Sequence, residues 1–337
     1  GPDQINHLKT KYFEMDFYRL AIMDLSALGM QPFESEKNFA LCNGEIYNFE
    51  KLEKELNHFK AKSHSDCEFL VHYFEHFGAE KLVQNLDGEY ALIIANKNSS
   101  EIFAARDPLG VRPLFYIEEK GDIAFASEVK ALMHLEGTIK AFPPGHYYFQ
   151  KKFIPYFHLF KEKNYTYQKP NLDAVFKNIH DLLYNAVEKR LHADAPLGFL
   201  LSGGVDSSLV CAIAAKVLKK PLETFSVGLS VDPIDLKYAK IVANHIGSNH
   251  CEIIFTTEQA INHVPELIKQ LETFDITTIR ASIGMSLVCK EIKSKTNVKA
   301  LLTGEVSDEL FGYKYTDFAP NAREFQEESL KRVRELY

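Results

Sequence analysis

An apolar run over residues 197–201 stops at Ser202-Gly203-Gly204, and a helical pattern begins with Val205-Asp206-Ser207-Ser208. This turn restricts the possible folds more than any other stretch of the chain. Two adjacent glycines let backbone N–H groups approach a ligand closely, and the positive end of a helix dipole favours an anion there. Ser202, Ser207 and Ser208 add hydroxyl groups, and Asp206 is suited to hold a divalent cation beside a phosphate. No lysine stands where a Walker loop requires one, which excludes the ordinary P-loop.

The surrounding pattern alternates. Asn171 is expected to cap a helix whose Leu172, Val175, Ile179, Leu182, Leu183, Val187 and Leu191 form one stripe. Strands are expected at 197–201, 224–229, 251–255 and 298–302, with helices at 207–218, 236–246, 258–271 and 283–293. Repeated βα units of this length imply a parallel sheet covered by helices, whose ligands sit at the carboxyl ends of the strands. Ser202–Ser208 lies at one such end. The acidic segment from Thr303 and Gly304 to Glu309 lies at another, so Asp206 and Asp308 are expected to flank a single Mg²⁺.

The first half reads differently. Short strands are expected at 39–42, 90–95, 102–105, 123–126 and 147–149, with a turn at Asn43-Gly44 and a hairpin through 96–101. Helices are expected at 50–59 and 66–77, which gives an α+β layered domain. The aromatic, lysine-rich stretch 150–170 is taken as the connection, which places the two domains at 1–155 and 171–337.

The net charge of −7 argues against a nucleic-acid partner. No apolar run is long enough to span a bilayer, and no signal peptide is evident, so no membrane partner is expected. Five scattered cysteines without a CxxC pair suggest reduced thiols and a cytoplasmic setting. A homodimer is compatible with these features and required by none of them.

Four segments carry a resemblance in the second half: GFLLSGGVDSS (198–208), TFSVG (224–228), LETFDITTIRAS (271–282) and GEVSDELFG (304–312). The first resembles the pyrophosphate loop of N-type ATP pyrophosphatases. Together they resemble the synthetase domain of glutamine-hydrolysing asparagine synthetases, an adenine nucleotide α-hydrolase-like α/β fold. The resemblance implies ATP as substrate, Mg²⁺, and a β-aspartyl-AMP intermediate. Leu200, Ser202, Gly203, Gly204, Asp206, Ser207, Ser208, Val227, Thr303 and Gly304 would then meet ATP, with Val227 reading adenine through its backbone. Thr277 and Arg280 would face the aspartyl and phosphate groups, and Glu305 would support formation of the intermediate. A carboxylate attacking an α-phosphorus needs such positive charge to offset mutual repulsion.

In the first half, YRLAIMD (18–24), GMQP (29–32), NGEIYN (43–48), SDCE (65–68) and RDPLGVRPLFY (106–116) resemble the glutaminase domain of the same family, an N-terminal-nucleophile hydrolase-like fold. The resemblance places glutamine against Arg19, Leu20, Ala21, Ile22, Met23, Asn43, Gly44, Glu45 and Asp66. Arg19 would grip the α-carboxylate and Asp66 the α-amino group, and Asn43 with the Gly44 N–H would form an oxyanion hole.

Three departures from the family bear on activity. Gly1-Pro2-Asp3 aligns with a segment inside the family's domain, so both ends of the family's chain are expected to be missing here. The family's nucleophile is an N-terminal cysteine, whereas Cys42 and Cys67 are internal and are expected to be buried small hydrophobes, so this chain is expected not to hydrolyse glutamine. Val306 stands where the family's loop has glycine; a β-branched residue resists φ > 0, so the loop carrying Asp308 is expected to be displaced. Two alternatives stay open: an ATP-dependent ligase of the β-lactam synthetase type, and a non-catalytic relic.

Overall fold

A computed structural model describes residues 1–159, 171–231, 233–307, 312 and 318–336. The chain forms two compact units, Gly1–Tyr167 and Gln168–Tyr337.

The first unit is built on a six-stranded antiparallel sheet. Its strands are β3 (Phe33–Glu34), β4 (Asn38–Ile46), β5 (Gly88–Asn96), β6 (Ile102–Arg106), β10 (His146–Phe149) and β11 (Lys152–Pro155), in the order β11-β10-β6-β5-β4-β3. Helices α1 (Phe49–Glu55) and α2 (Phe69–Asn85) cover one face, where Phe69, Leu70, Tyr73 and Leu82 pack with Leu92, Ile94 and Phe103. Ala91, Ala104 and Tyr148 point to the other face. They pack with Leu114, Tyr116, Ile123, Phe125 and Phe142 from in and around a smaller sheet of β7 (Phe115–Glu119), β8 (Asp122–Ala126) and β9 (Lys140–Ala141). Side chains alternate along a strand, so β5 is apolar on both faces because both are covered. A separate hairpin joins β1 (Gln4–Lys9) to β2 (Glu14–Arg19).

The second unit holds a parallel sheet of β12 (Leu197–Leu200), β13 (Glu223–Leu229), β14 (Asn249–Phe255) and β15 (Ala300–Leu302), in the order β14-β13-β12-β15. Its helices are α3 (Leu172–Lys189), α4 (Val205–Leu218), α5 (Ile234–Ile246), α6 (Thr257–Leu271), α7 (Ile276–Lys295) and α8 (Ala322–Leu336). The chain steps outward from β12 to β14 and then returns to the opposite side of β12. The strand order therefore reverses between β12 and β15, which is where open α/β sheets leave a ligand crevice.

Several expectations need correction. Asn43-Gly44 is not a turn; both residues lie inside β4, with Gly44 opposite Tyr90. Glycine is required there by a close approach of backbone, since a Cβ would collide with the Glu89 carbonyl. Helix α7 begins about two turns before the expected 283, because the Asp275 carboxylate accepts the Thr278 N–H at 2.7 Å and caps it. Helix α2 runs past the expected 77, with a break at Gly78 (φ 82°). The stretch 152–155 is β11 rather than connector. On α3, Val187 and Leu191 just beyond it enter the core, whereas Leu172, Ile179 and Leu182 of the expected stripe remain exposed.

Candidate functional site

In the second unit the loops after β12 and β15 meet. A Cβ on Gly304 would lie 2.6 Å from Ser207 N and 2.8 Å from the Asp206 carbonyl carbon, so the 303–307 segment is seated directly on the first turn of α4. Gly203 has φ 84°, and a Cβ there would lie 2.6 Å from the Tyr238 carbonyl carbon on α5. Both glycines are therefore dictated by backbone approach. Ser202 and Ser207 tie the loop internally: their Oγ atoms are 2.9 Å apart, the Ser202 N–H donates to Ser207 Oγ (3.2 Å), and the Gly204 N–H donates to Ser202 Oγ (3.3 Å). Ser208 Oγ is buried without a partner. Asp206 is exposed in the first turn of α4.

The ladder between β12 and β13 ends at Leu200↔Phe225, so Val227 lies just beyond it on β13. Leu200 and Val227 are part-buried against Phe225 and Val288. Thr277 and Arg280 are exposed in the first turns of α7, and Gly284 one turn later lies over Val227, where a Cβ would be 3.8 Å from Val227 Cγ1. Among the described residues no hydrogen bond joins Thr277 or Arg280 to either loop. Glu305 is exposed, its N–H 3.5 Å from Thr303 Oγ1. Val306 adopts the left-handed conformation, with φ 74°. Asp308 lies outside the described residues. Among the described residues no group of three His, Cys, Asp or Glu could hold a metal ion.

In the first unit, Arg19 is buried and the loop that follows curls around its guanidinium. Nη1 donates to Gln4 Oε1 (2.9 Å) and the Ser26 carbonyl (2.6 Å), and Nη2 donates to the carbonyls of Met23 and Asp24. Ala21 and Met23 are buried, Ile22 is half-buried and Leu20 is exposed. The Ala21 N–H donates to Asp3 Oδ2 at 3.0 Å. Asp24 accepts the Ser26 and His64 N–H groups, each at 2.8 Å, and so ties this loop to the turn that bears Asp66. Burial opposes ionisation of Asp24, but these hydrogen bonds outweigh it and hold the carboxyl below its ordinary range.

Asp66 is buried and accepts the Ile46 N–H at 2.6 Å, which brings it to the end of β4 beside Glu45. Asn43 Nδ2 donates to Ser127 Oγ at 3.1 Å. Gln31 grips the strand just before Asn43: its Oε1 accepts the Cys42 N–H (2.6 Å) and its Nε2 donates to the Cys42 carbonyl (3.1 Å). Ser127, Gln31 and Asp24 were not among the residues expected from sequence. Only the GMQP and YRLAIMD segments hinted at the last two. Cys42 and Cys67 are buried as expected. Hydrogen bonding to Cys42, then burial, pushes the Cys67 thiol up, so it is inert rather than nucleophilic.

A glutamine amidotransferase domain model matches residues 1–169, and an asparagine synthase model matches residues 178–336, so the chain joins an amidotransferase-type unit to a synthase-type unit. It is 40% identical, over its full length and 66% of the relative, to a probable glutamine-hydrolysing asparagine synthetase of Acanthamoeba polyphaga mimivirus. It is 40% identical on the same coverage to the Gallus gallus asparagine synthetase, and 38% identical to that of Homo sapiens over 95% of this chain and 63% of the human protein. The chain belongs to the glutamine-hydrolysing asparagine synthetase family. It spans just under two thirds of the length of these relatives. Among the described residues no helix is long and apolar enough to cross a membrane.

Proposed function

We propose that this protein makes asparagine from aspartate, using ATP to activate the β-carboxylate and glutamine as the source of ammonia. One observation carries the synthetase half: the Ser202–Ser208 and Thr303–Ser307 segments are in backbone contact at the point where strand order reverses. Pyrophosphate would lie on the N–H groups of Gly203, Gly204 and the start of α4, where the helix dipole favours negative charge. Ser208 Oγ, buried and unpartnered, is a donor available to such an anion. The exposed Asp206 carboxylate fits Mg²⁺, which takes one or two carboxylates and completes its shell with phosphate oxygens and water. Bound there, the ion would neutralise phosphate charge. Leu200 and Val227 offer an apolar wall and a strand edge to adenine, and Arg280 supplies positive charge from α7.

In the first unit Asp66 and Glu45 would hold the α-ammonium group of glutamine, and Asn43 would turn its Nδ2 from Ser127 to the developing oxyanion. Arg19 orders residues 20–24 around itself, so it shapes the pocket wall that would receive the α-carboxylate.

The test is pyrophosphate–ATP exchange with the protein in its natural full length. Exchange that requires aspartate supports the assignment. Exchange supported equally by other carboxylates, or no exchange with aspartate, overturns it.

A further inference from the structure

The sequence segment RDPLGVRP is absorbed by neither site above, yet its main chain is tied from two sides. Asp107 is buried, and its carboxylate accepts the N–H groups of Leu109 (3.0 Å), Val111 (2.9 Å), Arg112 (3.0 Å) and Tyr90 (3.3 Å). Arg106 grips the same loop from its other side. Its Nε donates to the Arg112 carbonyl (2.8 Å), Nη2 to the Gly110 carbonyl (2.7 Å) and Nη1 to the Phe142 carbonyl (2.7 Å). The main chain of Arg112 is thus held through both its N–H and its carbonyl. Its side chain is committed to nothing comparable: Nε is buried with no hydrogen-bond partner.

The register shows where this loop sits. Asp107 leaves β6 beside Tyr90, and Tyr90 is paired across β5 and β4 with Gly44. The next pair along is Glu45↔Glu89, two carboxylates directly opposite each other on neighbouring strands. Like charges in that relation repel. Asp66 at the end of β4 adds a third carboxylate to the same corner, and Tyr47 Oη donates to Glu89 Oε1 at 2.9 Å. Such a corner needs a cation.

We infer that Arg112 is a positioning residue whose guanidinium offsets the repulsion among Glu45, Asp66 and Glu89 and keeps that corner ready for the α-ammonium group of glutamine. The inference rests on the glutamine-site reading proposed above. Burial, then Asp66 and Glu89, push the Glu45 carboxyl far above the ordinary carboxylate range, and Arg112 is the cation that opposes them. The groups facing Glu45 are Glu89 on β5, Asp66 and Cys67 on the turn before α2, and Arg112 on the clamped loop.

The test is calorimetric binding of L-glutamine to this chain from mildly acidic to mildly alkaline pH, for wild type, Arg112→Gln and Arg112→Lys. Removing the charge raises the proton affinity of Glu45. Each unit of that rise should weaken glutamine binding roughly tenfold where the carboxyl is protonated. Arg112→Gln should therefore bind more weakly than wild type by one constant factor across this range, while Arg112→Lys behaves like wild type. An Arg112→Gln affinity that is unchanged, or an Arg112→Lys affinity as weak as that of Arg112→Gln, overturns the inference. If the wild-type chain does not bind glutamine, the glutamine-site reading fails. The role of Arg112 is then decided without ligand, by the carboxyl ¹³C titration of Glu45, assigned with Glu45→Gln. Arg112→Gln should move its midpoint upward, and an unmoved midpoint refutes the inference.

Discussion

Replacing Val306 by glycine should stabilise the second unit, although it deletes a side chain. Val306 sits at φ 74° in the segment that rests on the start of α4. An L-residue pays about 1–2 kcal/mol in the left-handed region, and the branched Cβ of valine puts it at the upper end, about 2 kcal/mol. Glycine avoids that cost but loses about 0.5–1 kcal/mol through the greater freedom of its unfolded chain. Val306 is 46% exposed, so deleting its side chain forfeits about half of a full burial, about 0.8 kcal/mol. The balance favours glycine by about 0.2–0.7 kcal/mol, equivalent to a melting temperature about 0.5–3 °C higher for a unit of this size. The assay is urea unfolding of wild type, Val306→Gly and Val306→Ala, read as a shift in midpoint at constant slope. Alanine keeps a Cβ in the left-handed region, so it should gain little. If alanine gains as much as glycine, handedness is not the source of the strain. If glycine lowers the midpoint, the reasoning is wrong.

Other perturbations follow from the same geometry. Gly44→Ala should destabilise the first unit by about 1–3 kcal/mol, because the new Cβ meets backbone rather than a side chain that could move aside; an unchanged unfolding midpoint would count against the close approach of β4 and β5. Asp206→Asn should weaken Mg²⁺-dependent ATP binding at least tenfold, about 1.4 kcal/mol, and unchanged affinity by calorimetry would rule out its metal role. His250 hydrogen bonds through its ring nitrogens to Thr224 Oγ1 (2.9 Å) and Ser226 Oγ (3.0 Å), and burial holds its pKa below the ordinary histidine value. The unfolded chain then binds the proton first, so this contribution to stability is complete above the ordinary value and is lost as pH falls from there toward the depressed one. His250→Gln should flatten the slope of the urea midpoint against pH in that window; a slope that persists unchanged assigns it to another group.

Much of the second unit could be read along the chain. The run into Ser202-Gly203-Gly204 and the helix behind it depend on residues a few positions apart: apolar period, glycine dihedrals and a helix start. The same local logic located the four parallel strands, and the chain order placed two loops at strand ends. It did not say that these loops touch. That depends on β15 inserting beside β12, a pairing between segments about a hundred residues apart.

The first unit shows the opposite case. Asn43-Gly44 has the local chemistry of a turn, yet it is strand, because the partner strand β5 passes too close for any side chain at Gly44. The alignment of Glu45 with Glu89, the clamp of Arg106 and Asp107 on Arg112, and the hold of Gln31 on Cys42 leave no periodic trace in the sequence. Each is fixed by strand register, and a slip of one residue would turn every side chain to the other face. Dihedral preference and hydrophobic period are properties of neighbouring residues, so the chain alone reveals the elements and their turns. Which carboxylates face one another, and which cation answers them, is settled only when distant strands pack.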